Sequence, residues 1–125
     1  MSEYMDRAKA LRGDKEHHYN CCQATLIPFC DRCGIDAETA EKVAAHFVAG
    51  MRHGGTCGAV TGALMALGLA GKDSDELLKR FRERNGCLDC AHLLMKAKEN
   101  GEEKKPHCDR MVYDTVEMVE EILGE

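Results

Sequence analysis

Between His53 and Gly71 the chain reads HGGTCGAVTGALMALGLAG, a run without Asp, Glu, Lys or Arg in a protein that is 31% charged. A segment of that composition gains most by burial. Its spacing is helical: Gly58 and Gly62, Ala59 and Ala63, and Ala66 and Ala70 each stand four residues apart, so two adjoining faces carry almost no side-chain volume. Other backbones can approach such a helix closely, and the rest of the chain is expected to pack around it. Thr56 is the expected N-cap, with Gly54 and Gly55 turning the chain sharply into the helix. Cys57 then occupies the first helical position, where unpaired N–H groups and the positive end of the helix dipole favour a thiolate that binds metal or attacks a disulfide. The same stretch is equally consistent with a packing device around an inert thiol.

The flanking sequence predicts a succession of short helices. The first runs from about Glu3 to Leu11, with Tyr4, Met5, Ala8 and Leu11 on one face and Gly13 closing it. Asn20 opens a second with Gln23 in capping-box register, Pro28 kinks or shortens it, and Gly34 ends it. Asp36 caps a third, whose Val43, Ala44, Phe47 and Val48 form an apolar face reaching about Met51. After the central helix, a fifth starts at Asp73 or Ser74 and stops at Asn85-Gly86, and Cys87 and Cys90 open a sixth over about Leu88 to Lys98. Glu99 to Pro106 reads as a solvated loop, and a last helix runs from about Asp109 to Leu123. No strand alternation and no internal repeat is present. The expected fold is all-α: a bundle of about six or seven short helices around the Gly/Ala-rich one, with residues 1–125 as one domain.

The net charge of −5 and the lack of a basic stripe argue against nucleic acid as a partner. The N-terminus is charged from its third residue and lacks a signal peptide's apolar core, and no run is apolar enough to span a membrane. A cytoplasmic protein is therefore expected. Eight cysteines in such a chain read as metal binding or thiol redox chemistry sooner than as structural disulfides.

The distribution of those cysteines carries the functional reading. Cys21, Cys57, the Cys87/Cys90 pair and Cys108 each fall at or within a turn of an expected helix N-terminus. If those N-termini converge, four thiolates meet where several dipoles favour negative charge. That suits an iron–sulfur cluster, a four-cysteine zinc site or a reactive dithiol, and spacing does not choose among them.

These residues resemble a known family, the redox-active proteins named for the cysteine pattern C, GCAxxG, C, C. Tyr19-Asn20-Cys21, the GGTCGAVTGAL run around Cys57, Cys90 ahead of Leu93-Leu94, and Cys108 ahead of the closing helix look like its four cysteine positions in order. Here Gly58 stands where the pattern has Ala, and Gly62 falls one place later. A similar domain occurs in split-Soret cytochromes, where an iron–sulfur centre is associated with cysteines beside the haems. The resemblance implies Cys21, Cys57, Cys90 and Cys108 as ligands of a 2Fe-2S or 4Fe-4S cluster used for electron transfer with a redox partner protein. Cys87 and His107 are further candidates. Covalent haem is not expected, since Cys87-Leu-Asp-Cys90 is followed by Ala91, with His92 one place too late.

A metal-free thiol–disulfide oxidoreductase using Cys87/Cys90, or a zinc-stabilised interaction module, are the alternatives. A homodimer across an apolar helix face is left open. Cys30 and Cys33, near a helix end where the dipole raises thiol pKa, read as packing or loop thiols, and Cys22 as core. His53 and His107 flank candidate ligands but read first as surface or loop residues, and His46 as a buried histidine. Met65, Met95, Met111 and Met118 read as core fillers.

Overall fold

The computed structural model describes residues 2–124, and among them the chain forms eight α-helices and no strand. Ser2 caps α1 (Glu3–Arg12), its hydroxyl accepting from Met5 N at 3.0 Å, and Gly13 ends it. Asn20 opens α2 (Cys21–Leu26) through the expected capping box: its side chain accepts from Gln23 N, while Gln23 Oε1 accepts from Asn20 N, both at 2.8 Å. Pro28 lacks an N–H and breaks the helix, leaving a 3₁₀ turn, Ile27–Phe29, and a single turn α3 (Cys30–Cys33) that stops at left-handed Gly34. That division accounts for the helix beyond the six or seven expected.

Asp36 caps α4 (Ala37–Val43), which ends a full two turns before Met51. The carbonyls of Ala44 and Ala45 turn out of the helix and accept from Asn20 Nδ2 at 3.1 and 3.2 Å. The expected apolar face does not form: Ala40 and Ala44 are buried, whereas Val43 and Val48 are exposed. The backbone then passes through a left-handed turn, with φ of 53° at Ala49, 62° at Gly50, 58° at Met51 and 68° at Arg52. Left-handed Ala, Met and Arg are sterically costly and persist only where surrounding structure holds them. Gly50 is the fixed point, since a Cβ there would lie 2.5 Å from Gly55 O and 2.7 Å from the Cys90 Cβ.

The Gly/Ala-rich segment forms α5 (Gly58–Leu69), one residue later than expected, with Cys57 and not Thr56 at the N-cap. Its small faces admit α2. A Cβ on Gly62 would sit 2.6 Å from Cys22 O, and one on Gly58 would sit 3.2 Å from the Cys21 Cβ. Then come α6 (Asp75–Asn85), α7 (Cys90–Glu99) and α8 (Lys104–Leu123). The long α8 packs against α1, α2, α5, α6 and α7, so the bundle has two central helices where one is expected. It also starts at Lys104 and not Asp109, with Pro106 in its first turn, where the missing N–H has no intrahelical partner to lose. Phe29, Phe81, Leu26, Leu67, Leu77, Met111 and Met118 fill the core; Met95 is 57% exposed and is not part of it. Among the described residues no helix is long and apolar enough to cross a membrane.

Gly68 faces open space, with nothing within 4 Å of a Cβ, and its φ is not left-handed. Gly68→Ala is therefore expected to stabilise the protein by about 0.5–1 kcal/mol, through reduced backbone entropy of the unfolded chain and better helix propensity. Thermal unfolding checks this; an unchanged or lower Tm contradicts it.

Candidate metal centre

Each of the four cysteines implicated by the sequence is set in place by its own element. Cys21 is the first residue of α2, held by the Asn20 capping box. Cys57 and Cys90 are brought together by backbone pairing across thirty-three residues of sequence: Cys57 N donates to Leu88 O at 2.8 Å, Cys90 N donates to Gly55 O at 2.6 Å, and Thr56 and Asp89 form an antiparallel bridge between them. Cys57 caps α5 and Cys90 begins α7. Cys108 lies in α8, about one turn from its start, and not ahead of it as expected. All four thiols line one cavity of about 300 Å³.

Arg12, for which the sequence offered no functional reading, also lines this cavity. Its guanidinium is almost fully buried, with Nε donating to Asp109 Oδ1 at 2.6 Å and Nη1 to Tyr19 O at 2.9 Å. Lys105 ties the same corner together, donating to Asp109 Oδ1 at 2.8 Å and to Arg12 O at 3.0 Å. With Lys104 also in the wall, the cavity combines four thiols with cationic groups, a donor set suited to a negatively charged occupant.

The thiols do not ionise alike. Cys21 and Cys108 act on each other: Cys108, and then burial, raises the Cys21 thiol, whereas Cys21, Arg12 and Lys104 lower Cys108 against the burial that raises it. Burial pushes the Cys57 thiol up to about 11, although the backbone N–H groups of Ala59 and Val60 favour its thiolate. The N–H groups of the helix N-terminus favour the Cys57 thiolate as expected, but desolvation outweighs them. Burial, then Cys108, raises Cys90 as well. In metal-free, reduced protein, iodoacetamide at neutral pH is expected to label Cys108 before Cys21, Cys57 or Cys22, as read by peptide mass spectrometry. Equal rates at all four would contradict this assignment.

The remaining candidates lie elsewhere or differ from expectation. Cys87 packs half-buried against the core and does not line the cavity. Cys22 is buried core with its sulfur 3.9 Å from Met65 Sδ. Cys33 donates to Ala66 O at 3.4 Å. Burial is the main cause that raises both Cys30 and Cys33, with Asp31 adding to it. His46 and His53 are exposed. His107 is the reverse of the surface residue expected: it is 3% exposed, lines the thiol cavity, and is held neutral by burial and by the Arg110 charge. Its position inside α8, which the loop reading of residues 99–106 concealed, is what turns it inward.

Among the described residues no three Cys, His, Asp or Glu side chains are grouped so that they could hold one metal ion. The thiols are arrayed around the cavity wall and do not converge on a point.

The family model described as Putative redox-active protein (C_GCAxxG_C_C) matches residues 19–122, a span that includes all four cavity cysteines. No curated protein and no solved structure matches the chain.

Proposed function

As this chain belongs to the redox-active C_GCAxxG_C_C family, we propose that Cys21, Cys57, Cys90 and Cys108 together hold an iron–sulfur cluster and that the protein transfers electrons. The observation that carries this reading is that four separate helices each deliver one thiol to the same cavity, beside a buried arginine. A bound cluster would supply reversible one-electron chemistry, with a potential responsive to burial, N–H donors and nearby charge. The four cysteines would bind it as thiolates, and Arg12 would offset the negative charge that their ionisation brings into a buried space. Leu93 and Met111, both buried in the wall, would exclude water. A partner redox protein would approach by the exposed part of the lining, His18, Val48, Ala49, Lys104 and Lys105.

A cluster fits better than a single zinc ion. Four thiolates at about 2.3 Å from one ion would have their sulfurs roughly 3.8 Å from one another, whereas these thiols surround a space of about 300 Å³. The Cys21/Cys108 pair, whose thiols line one cavity and are shifted in opposite directions, favours a second reading, a metal-free dithiol that cycles with a disulfide. Anaerobic reductive titration separates the two. Visible absorption bleached by one electron per cluster supports electron transfer through iron and sulfur; colourless protein taking up two electrons per chain assigns the dithiol.

A further inference from the structure

The segment that leads from α4 to α5 forms part of the wall of the thiol cavity through Val48, Ala49 and Gly50. Its backbone is strained. Ala49, Met51 and Arg52 lie in the left-handed region, at φ of 53°, 58° and 68°, where the Cβ of an L-residue crowds the following carbonyl oxygen. Little side-chain burial offsets this, since of residues 48–53 Gly50 alone is buried. The turn is held instead through its backbone: Arg52 N donates to Val48 O at 2.7 Å, Gly54 N to Ala49 O at 3.1 Å and Gly55 N to Gly50 O at 2.8 Å. Two glycines seat it on the first turn of α7, as a Cβ on Gly50 would lie 2.7 Å from the Cys90 Cβ and one on Gly54 would lie 3.1 Å from the Ala91 Cβ. A strained backbone whose side chains face solvent is the kind of unit that opens locally while the rest of a protein stays folded.

Cys90 depends on this segment as the other three cavity thiols do not. Cys21 is fixed by the Asn20 capping box, Cys57 by its N–H to Leu88 O, and Cys108 by its place within α8. α7 receives no side-chain cap from Asp89. The Cys90 N–H is held by Gly55 O at 2.6 Å, and Gly55 is held in turn through its own N–H to Gly50 O. We propose that residues 48–55 form a strained gate on Cys90. Opening returns Ala49, Met51 and Arg52 to ordinary backbone angles, breaks the hydrogen bond between Gly55 and Gly50, and frees the Cys90 end of α7 from Gly55 while the helices of the bundle stay formed. Closing brings Gly50 back against the Cys90 Cβ and sets that thiol in the cavity wall. Cys90 is thus the labile thiol of the four. On the cluster reading, on which this consequence rests, the open state leaves the occupant of the cavity on three thiols and is the path by which it enters.

The test is hydrogen–deuterium exchange of the full chain as purified without oxygen, read at single residues by mass spectrometry over a series of low urea concentrations. The amides of Gly54, Gly55 and Cys90 are expected to exchange together, about a hundredfold or more faster than those of buried Val112 and Val116 in α8, and with almost no dependence on urea, since a local opening exposes little surface. Met51→Gly together with Arg52→Gly, at two exposed positions, removes the crowding and is expected to slow the three amides about tenfold. Gly50→Ala directs a Cβ to 2.5 Å from Gly55 O and is expected to strip them of protection while the far-UV circular dichroism of the helices is kept. Exchange of the three amides at the rate of Val112 and Val116, a urea dependence as steep as theirs, or no protection at all in the wild-type protein overturns the proposal. Unchanged or faster exchange in the paired Met51 and Arg52 replacement also overturns it, and decides the matter even where Gly50→Ala does not fold. No step needs iron or sulfide, so failure of the gate and failure of the cluster reading are separately visible.

Discussion

Cys57→Ser is expected to lose iron and sulfide almost completely while keeping the helical content of the wild-type protein. Cys57 is 5% exposed, caps α5 and is pinned through its N–H to Leu88 O, so its position does not depend on a ligand. Serine is nearly isosteric and is among the preferred N-cap residues, and the α5 terminus should therefore survive the change. What the substitution removes is the soft sulfur donor that iron–sulfur centres require. Losing an outer partner of a metal ligand already costs about 10–100-fold in affinity, and losing the ligand itself should exceed that. Iron and acid-labile sulfide per chain, measured beside far-UV circular dichroism, decide the matter. A full complement of both in Cys57→Ser would remove Cys57 from the ligand set; a collapse of helicity would show that the thiol is structural.

Gly62→Val should be the most damaging change outside the cavity. At Gly62 even a single Cβ would lie 2.6 Å from Cys22 O and 3.0 Å from the Thr25 Cβ. Neither atom can yield cheaply. The carbonyl belongs to α2, and Thr25 is fully buried with its hydroxyl donating to Cys21 O at 2.8 Å. Valine would have to drive α2 away from α5, and overpacking of this kind costs typically about 1–3 kcal/mol for added methylenes alone. With three carbons directed at backbone, about 3 kcal/mol or more is expected, or roughly 10 °C in Tm for a chain of this size. The same displacement carries Cys21 away from Cys57. Iron content should thus fall together with stability, although residue 62 touches no thiol of the cavity. An unchanged Tm would contradict the close approach of α2 to α5.

The parts of this fold that are legible in the sequence are those decided by neighbours along the chain. The Asn20/Gln23 capping box, the Asp36 cap and the left-handed stops at Gly34 and Gly86 all occur at the residues that local chemistry indicates. The small faces of α5 admit α2 as their spacing implies. Features that local pattern does not carry are set by distant contacts. The chain leaves α4 early because Asn20 takes the carbonyls of Ala44 and Ala45, and the left-handed turn beyond it is imposed by Gly55 and Cys90 against Gly50. Arg12 looks like any basic residue closing a helix; only Asp109, far along the chain, buries it beside two thiols. For α8 a signal does exist, since Pro is well tolerated in a first helical turn. Taking Lys104, Lys105 and Pro106 as that turn places His107 inside the protein and Cys108 within the helix.

The most direct test of the electron-transfer account is a count of iron, zinc and acid-labile sulfide per chain in protein purified without oxygen, taken with its visible spectrum. Iron and sulfide in matching amounts, with a brown colour that reduction bleaches, is the result predicted from four thiols around one cationic cavity. Zinc without sulfide, or no metal and eight titratable thiols, would contradict it.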